Sequence, residues 1–206
     1  LEATDTYEVE KTPVDVESFA TKVTINAKEG YQVSVSENET YGASVDFSEN
    51  PISFYVKREA DNATSDVVTI DDVTFDLTVP TAEFKIGDTK LENDVYCEDS
   101  ATVEVVVTDN ENGSGVNEIK YYIGNEETVT GELTDDDWQA LEADMVSITE
   151  PGEYVIYIKA TDNVGNKAIV GSDAVIIYDE AVITFEEIDL IYDGTEKKPD
   201  VTVKLD

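Results

Sequence analysis

The residues best suited to chemistry lie in two short polar segments. TDNENGSGV, residues 108–116, and TDNVGN, residues 161–166, each set Asp, Asn and Gly in a run that can turn oxygen ligands toward a hard cation. Asp109, Asn110, Glu111, Asp162 and Asn163 would together offer carboxylate and amide oxygens for calcium at one end of a sandwich. A second acidic set, Asp71, Asp72 and Asp179, falls near expected module ends. The helix-loop-helix calcium pattern does not fit, because its first and twelfth positions need Asp and a bidentate Glu and here hold Thr108 and Ile119. The competing reading is turn geometry, in which Asp and Asn bond local backbone and Gly takes a positive φ.

A carbohydrate site would need exposed aromatic faces beside polar partners. Tyr122, Trp138 and Tyr157 are the candidates, for a glycan or for a host protein. Against this, a Trp placed after three aspartates serves equally well as a plug at a sandwich edge with its indole N–H satisfied. In EIKYYIG, Ile119, Tyr121 and Ile123 share one strand face and Lys120 and Tyr122 the other, so at most one of the paired tyrosines is core.

No catalytic residue is expected. The chain has no histidine, which removes His-based triads, Cys-His dyads and most zinc sites. Cys97, the single cysteine, stands beside Glu98 and Asp99, neighbours that oppose a thiolate. It also rules out an intrachain disulfide. A Lys-Asn isopeptide bond would need a buried lysine, and Lys57 and Lys159 lie on the face opposite Phe54, Val56, Ile156 and Ile158. If that second face is the core, both lysines point outward. The sequons at Asn38, Asn62 and Asn112 are read as coincidental.

Charge narrows the partners further. With 48 Asp and Glu against 13 Lys and Arg, the formal charge is −35, a field that repels phosphate backbones and anionic lipid and attracts divalent cations. Nucleic acid and membrane insertion are therefore excluded as expectations, and a monomer is expected. Disorder is not, because 40% of residues are hydrophobic and the chain holds 11 Tyr and 6 Phe. Leu1 opens the chain and Met145 is the only methionine, which reads as a piece of a longer polypeptide whose address signals lie elsewhere.

The positioning elements are strands. TKVTINA, YQVSV, ISFYVKR, TVEVVVT and GEYVIYIKA alternate apolar and polar residues and are separated by Gly, Asn, Asp, Ser or Pro. Thr134 or Asp135 can cap one short helical turn in TDDDWQALEAD. Two segments repeat: FYVKREADNATSDVVTIDDVTFD against IYIKATDNVGNKAIVGSDAVIIYD, with a one-residue gap, matching Tyr55 to Tyr157, Lys57 to Lys159 and Asp61-Asn62 to Asp162-Asn163. The pattern predicts an all-β chain of tandem antiparallel β-sandwiches with one short helical turn. Residues 1–16 are expected as the last strand of a preceding module and its linker, 17–79 as module one, 80–180 as module two, and 181–206 as a partial third β module ordered against a neighbour.

In residues 80–180 the order DNENGSGVNEIKYYIG, DDDWQALE and ITEPGEYVIYIKATDNVGNKAIVGSDAVIIYD resembles bacterial immunoglobulin-like repeats of large gram-positive surface proteins of the gut Firmicutes type. The first module is similar but lacks the Trp and has Thr64 in place of the glycine of VGN. YDGTEKKPDVTVKLD is similar to the start of another cell-surface repeat. The resemblance implies an extracellular, wall-attached spacer or adhesin segment whose partners are neighbouring modules of the same polypeptide, without catalysis and with no cofactor except possible calcium. Tyr154, two residues before Ile156, matches the place of the tyrosine corner in antibody domains, with Ile156 where those domains put a cysteine.

Overall fold

A computed structural model describes residues 1–179 and, as backbone, 181–185 and 201–205. The architecture is all-β, of the immunoglobulin-like antiparallel sandwich class, with two 3-10 turns as its only helical elements among the described residues. It divides into two compact units. The first gathers Leu1–Thr81, Thr108–Glu118 and Ala160–Ala168, and the second gathers Ala82–Val107, Ile119–Lys159 and Ile169–Asp206.

In the first unit one sheet orders Tyr7–Thr12, Lys22–Ala27 and Ser44–Phe47, and the other Tyr31–Ser34, Ile52–Arg58 and Val68–Ile70. Period-two alternation explains what they bury, since side chains two apart share a face. Val23 and Ile25 from one sheet and Val33, Ile52, Phe54 and Val56 from the other form a core with no solvent exposure, joined by Ala20 and Val73. The alternate residues of Ile52–Arg58 are half-buried, and Lys57 Nζ lies 4.3 Å over the Tyr41 ring, outside the core as expected.

Residues 1–16 do more here than precede a module. Tyr7–Thr12 pairs along its whole length with Lys22–Ala27, and the Tyr7 ring meets Phe54 edge-on at 4.8 Å. An aromatic at the head of an alternating segment completes the core, so this strand is an edge of the first unit's own sheet.

A further sheet, in the second unit but for its terminal Thr81 and Thr108, orders Thr89–Lys90, Thr81–Ile86, Ala101–Thr108 and Met145–Ile148. Val95–Glu98, Val175–Tyr178, Gly152–Asp162, Val116–Gly124 and Gln139–Ala140 form another, with Lys167–Gly171 also on Gly152–Asp162; the second unit holds this sheet except for residues 116–118, 160–162 and 167–168, which belong to the first. Val103, Val105, Val146, Ile156, Ile158 and Val175 are the second unit's fully buried residues. Each repeat also closes with a short parallel pair, Phe19–Ala20 on Thr74–Phe75 and Val95–Glu98 on Val175–Tyr178. Thr74 and Val175 are aligned positions of the two similar sequence segments.

The short helical turn expected after Thr134 is a 3-10 turn. Asp135–Asp137 makes one 3-10 turn after Thr134, whose backbone N–H and hydroxyl both donate to Asp137 Oδ2 at 2.7 Å, and the chain then turns extended at Gln139–Ala140. Those hydrogen bonds hold the Asp137 carboxyl below its ordinary pKa. In the expected third module, Ala181–Phe185 pairs antiparallel with Val201–Leu205, while the residues between lie outside the described residues. The docking expected of that tail lies outside them as well.

Candidate functional site

Three strand ends converge in the first unit. Asp76 follows Thr74–Phe75 and is tied down by its N–H donating to Ala20 O at 3.1 Å. Asp109 follows Ala101–Thr108, and Asp162 ends Gly152–Asp162. Each contributes a carboxylate oxygen to a set in which all oxygens lie within 4.8 Å of one another. Asp76 is 2% exposed and Asp162 1%, while Asp109 is half-buried.

The loops hold these carboxylates through backbone donors. Asp162 Oδ1 accepts from Val164 N at 3.0 Å and Asn166 N at 2.8 Å, and its Oδ2 from Asn166 Nδ2 at 2.7 Å. Asp109 Oδ2 accepts from Gly115 N at 2.6 Å. Asp76 accepts from Ser114 N at 2.7 Å and Thr78 N at 3.2 Å. Burial pushes the Asp76 carboxyl up, but these donors outweigh it and leave the group below its ordinary pKa. The GSGV turn is needed for this packing, because a Cβ on Gly113 would lie 2.5 Å from the Asn110 side-chain amide and 2.6 Å from Asp109 Oδ2.

What the cluster lacks is a cation. Among the described residues no Lys or Arg forms an ion pair with Asp76, Asp109 or Asp162. Two like charges at such a separation repel by about 3–4 kcal/mol at an effective dielectric near 20. Backbone N–H groups offset part of that repulsion and carry no net charge. Ser114 Oγ adds a further polar atom: the residue's backbone N–H donates to Asp76 Oδ2, and its hydroxyl oxygen is fully buried with no hydrogen-bond partner.

Of the five predicted metal residues, the structure brings Asp109 and Asp162 together and sets Asn110 at the rim. With its amide nitrogen inward, Asn110 reaches Asp109 Oδ1 at 2.9 Å and Asp76 Oδ1 at 3.3 Å. Glu111 is exposed and outside the set. Asn163 turns its nitrogen to use, donating to Ser114 O at 2.7 Å and Gly115 O at 3.0 Å, so it braces the turn rather than offering an oxygen. Asp76 escaped the sequence reading because its neighbours Leu77 and Thr78 give no loop signature; its place at the end of the repeated segment was the one available cue. Asp71 and Asp72 instead line a cleft of about 960 Å³ beside Tyr7 and Val9, away from Asp179 in the sequence and in no acidic cluster among the described residues.

The aromatic candidates each make contacts within the protein. Trp138 is 7% exposed, tilted against Tyr122 at 6.3 Å, with Lys159 Nζ 4.9 Å over its ring. Lys159 also pairs with Asp135 at 2.8 Å and keeps only 15% of its side chain exposed, so this outward lysine is a lid on the indole rather than a solvated charge. Tyr157 Oη donates to Asn125 O at 2.9 Å. Tyr122 is half-buried. Tyr154 forms the expected corner, its Oη donating to Glu150 O at 3.1 Å.

The repeated Asp-Asn pair does different work in its two copies. Asp61 is exposed and holds Arg58 through two bonds of 2.9 and 2.6 Å. Arg58 and the Ala63 N–H bring its pKa down to about 2. In an NMR titration Asp61 should therefore protonate near pH 2, and Arg58→Gln should return the midpoint toward 3.8; an unchanged midpoint would remove the pair. Gly165, at φ +91°, shows the positive φ expected of the second copy's turn, whereas Thr64 stands at the aligned position of the first.

No protein-family model and no curated protein matches the chain. Among solved structures it is similar to the fibronectin(III)-like modules of Clostridium thermocellum CbhA, at 12% identity over 84% of this chain and 94% of that one, with a TM-score of 0.37. The fold assignment rests on the strand pairing described above. Among the described residues no helix is long and apolar enough to cross a membrane.

Proposed function

We propose that this chain is a non-catalytic, extracellular spacer segment of a bacterial cell-surface protein. Its immunoglobulin-like sandwiches hold neighbouring parts of the same polypeptide apart. One observation carries the choice of spacer over adhesive head: the residues best suited to grip a ligand are spent on internal contacts. Trp138 is covered by Lys159, and the Tyr157 hydroxyl is used on Asn125 O. A glycan platform needs an open aromatic face with free polar partners, whereas the Trp138 face is covered and the Tyr157 hydroxyl is engaged. The charge of −35 supports the same reading, because it opposes self-association and keeps closely spaced segments soluble.

A glycan array probed with the whole chain tests this. Silence is the expected result. Binding that disappears in Tyr122→Ala or Trp138→Phe would replace the spacer with an adhesin, the reading in which those aromatics meet a host glycan or protein.

A further inference from the structure

We infer that Asp76, Asp109 and Asp162, completed by Ser114 Oγ and the Asn110 amide oxygen, form a binding site for one calcium ion in the first unit. The three carboxylates alone would be an acidic cluster like many others on so acidic a chain. Two of them, however, are 1–2% exposed, and among the described residues no cationic side chain pairs with any of the three. Independently of the carboxylates, a fully buried hydroxyl, Ser114 Oγ, sits beside Asp76 without a hydrogen-bond partner. An orphaned buried hydroxyl facing crowded carboxylate oxygens is accounted for by an ion that all of them ligate.

The oxygen spacing suits calcium. Ligands 2.3–2.6 Å from a Ca²⁺ ion stand at most about 5 Å apart across it, and Mg²⁺ instead demands a near-ideal octahedron and gives up its waters reluctantly. The carboxylate oxygens here lie within 4.8 Å of one another. Three carboxylates, one hydroxyl and one amide oxygen give five ligands, and water completes the six to eight that Ca²⁺ takes. Asn110 suits either state: with its nitrogen inward it donates to Asp109 and Asp76, and the opposite amide orientation presents its oxygen to an ion. The donors already present do not compete, because a carboxylate has about four lone-pair sites and each uses only part of them on backbone N–H groups.

The site would tie together three strand ends that are far apart in sequence, and it stands whether the chain is a spacer or an adhesin. The experiment is a calorimetric titration of the chelator-treated chain with CaCl2 in 0.15 M NaCl, beside thermal melts in chelator, Ca²⁺ and Mg²⁺. The expected result is one saturable site above the diffuse background. At about a hundredfold excess over Kd, Ca²⁺ should raise Tm by roughly 5–10 °C. Mg²⁺ should do less.

Asp109→Asn should keep its Tm in chelator and lose the Ca²⁺ rise. Ser114→Ala, whose hydroxyl bonds nothing, should melt as the parent does in chelator and bind Ca²⁺ at least tenfold more weakly. The glutamate pair around Lys90 serves as the distal control: Glu83→Gln with Glu92→Gln should retain the full rise. A linear, unsaturable titration overturns the site, as does a Ca²⁺ rise undiminished in both site variants. In the first case the carboxylates share a proton instead of an ion, and in the second the ion sits elsewhere.

Discussion

Phe54→Ala is expected to destabilise the first unit by about 3–5 kcal/mol, the usual cost of truncating a buried aromatic. Phe54 has no exposed surface and sits at the centre of Ile52–Arg58, the middle strand of its sheet. Its ring receives the edge of Tyr7 at 4.8 Å, an arrangement worth about 0.5–1.5 kcal/mol beyond the area it buries. The cavity left by alanine would face Val23 and Ile25 across the sandwich, side chains too rigid at χ1 to swing into it. Since a domain is stable by only about 5–15 kcal/mol, the loss consumes a large share of the total. Urea unfolding should show a lower midpoint with an unchanged slope, and Phe54→Leu should recover more than half of the loss. A midpoint within error of the parent would mean that Phe54 is not the core of this unit.

The fold was readable because alternation is a strong local signal. Phe54 and Val56, and Ile156 and Ile158, fall inside where period two puts them. The site was readable only in part. Asp109 and Asp162 announce themselves through Gly-rich and Asn-rich turns, whose chemistry is local. Asp76 enters through pairing of Phe19–Ala20 with Thr74–Phe75, a contact between residues 55 apart in register that no neighbouring residue encodes. Trp138 shows the same limit: its type suggested either platform or plug, and the choice was made by Lys159 and Asp135, which reach it from different strands and turns. Sequence identity likewise concealed the divergence of Asp61 from Asp162. Both begin an Asp-Asn turn, yet one is solvated beside Arg58 and the other is buried among carboxylates.

That divergence yields the second large effect. Asp162→Ala should fall below Asp162→Asn by about 2–4 kcal/mol in chelator, since losing a buried acceptor leaves each of its N–H partners unsatisfied at about 1–3 kcal/mol. The partners are Val164 N and Asn166 N, both bound to Asp162 Oδ1, and Val164 is only 6% exposed. Asparagine keeps that oxygen and gives up only the bond from Asn166 Nδ2 to Oδ2. Both variants remove the same negative charge, so relief of repulsion from Asp76 and Asp109 cancels in the comparison and the hydrogen bonds remain. The aligned comparison, Asp61→Ala against Asp61→Asn, should show no resolvable difference, because water replaces the acceptor at an exposed turn. Paired urea curves on the four variants measure this directly. Equal losses at the two positions would mean that the Asp-Asn turn is one structural device used twice; loss at Asp162 alone would mark the second copy as the one whose turn has been drawn into a buried centre.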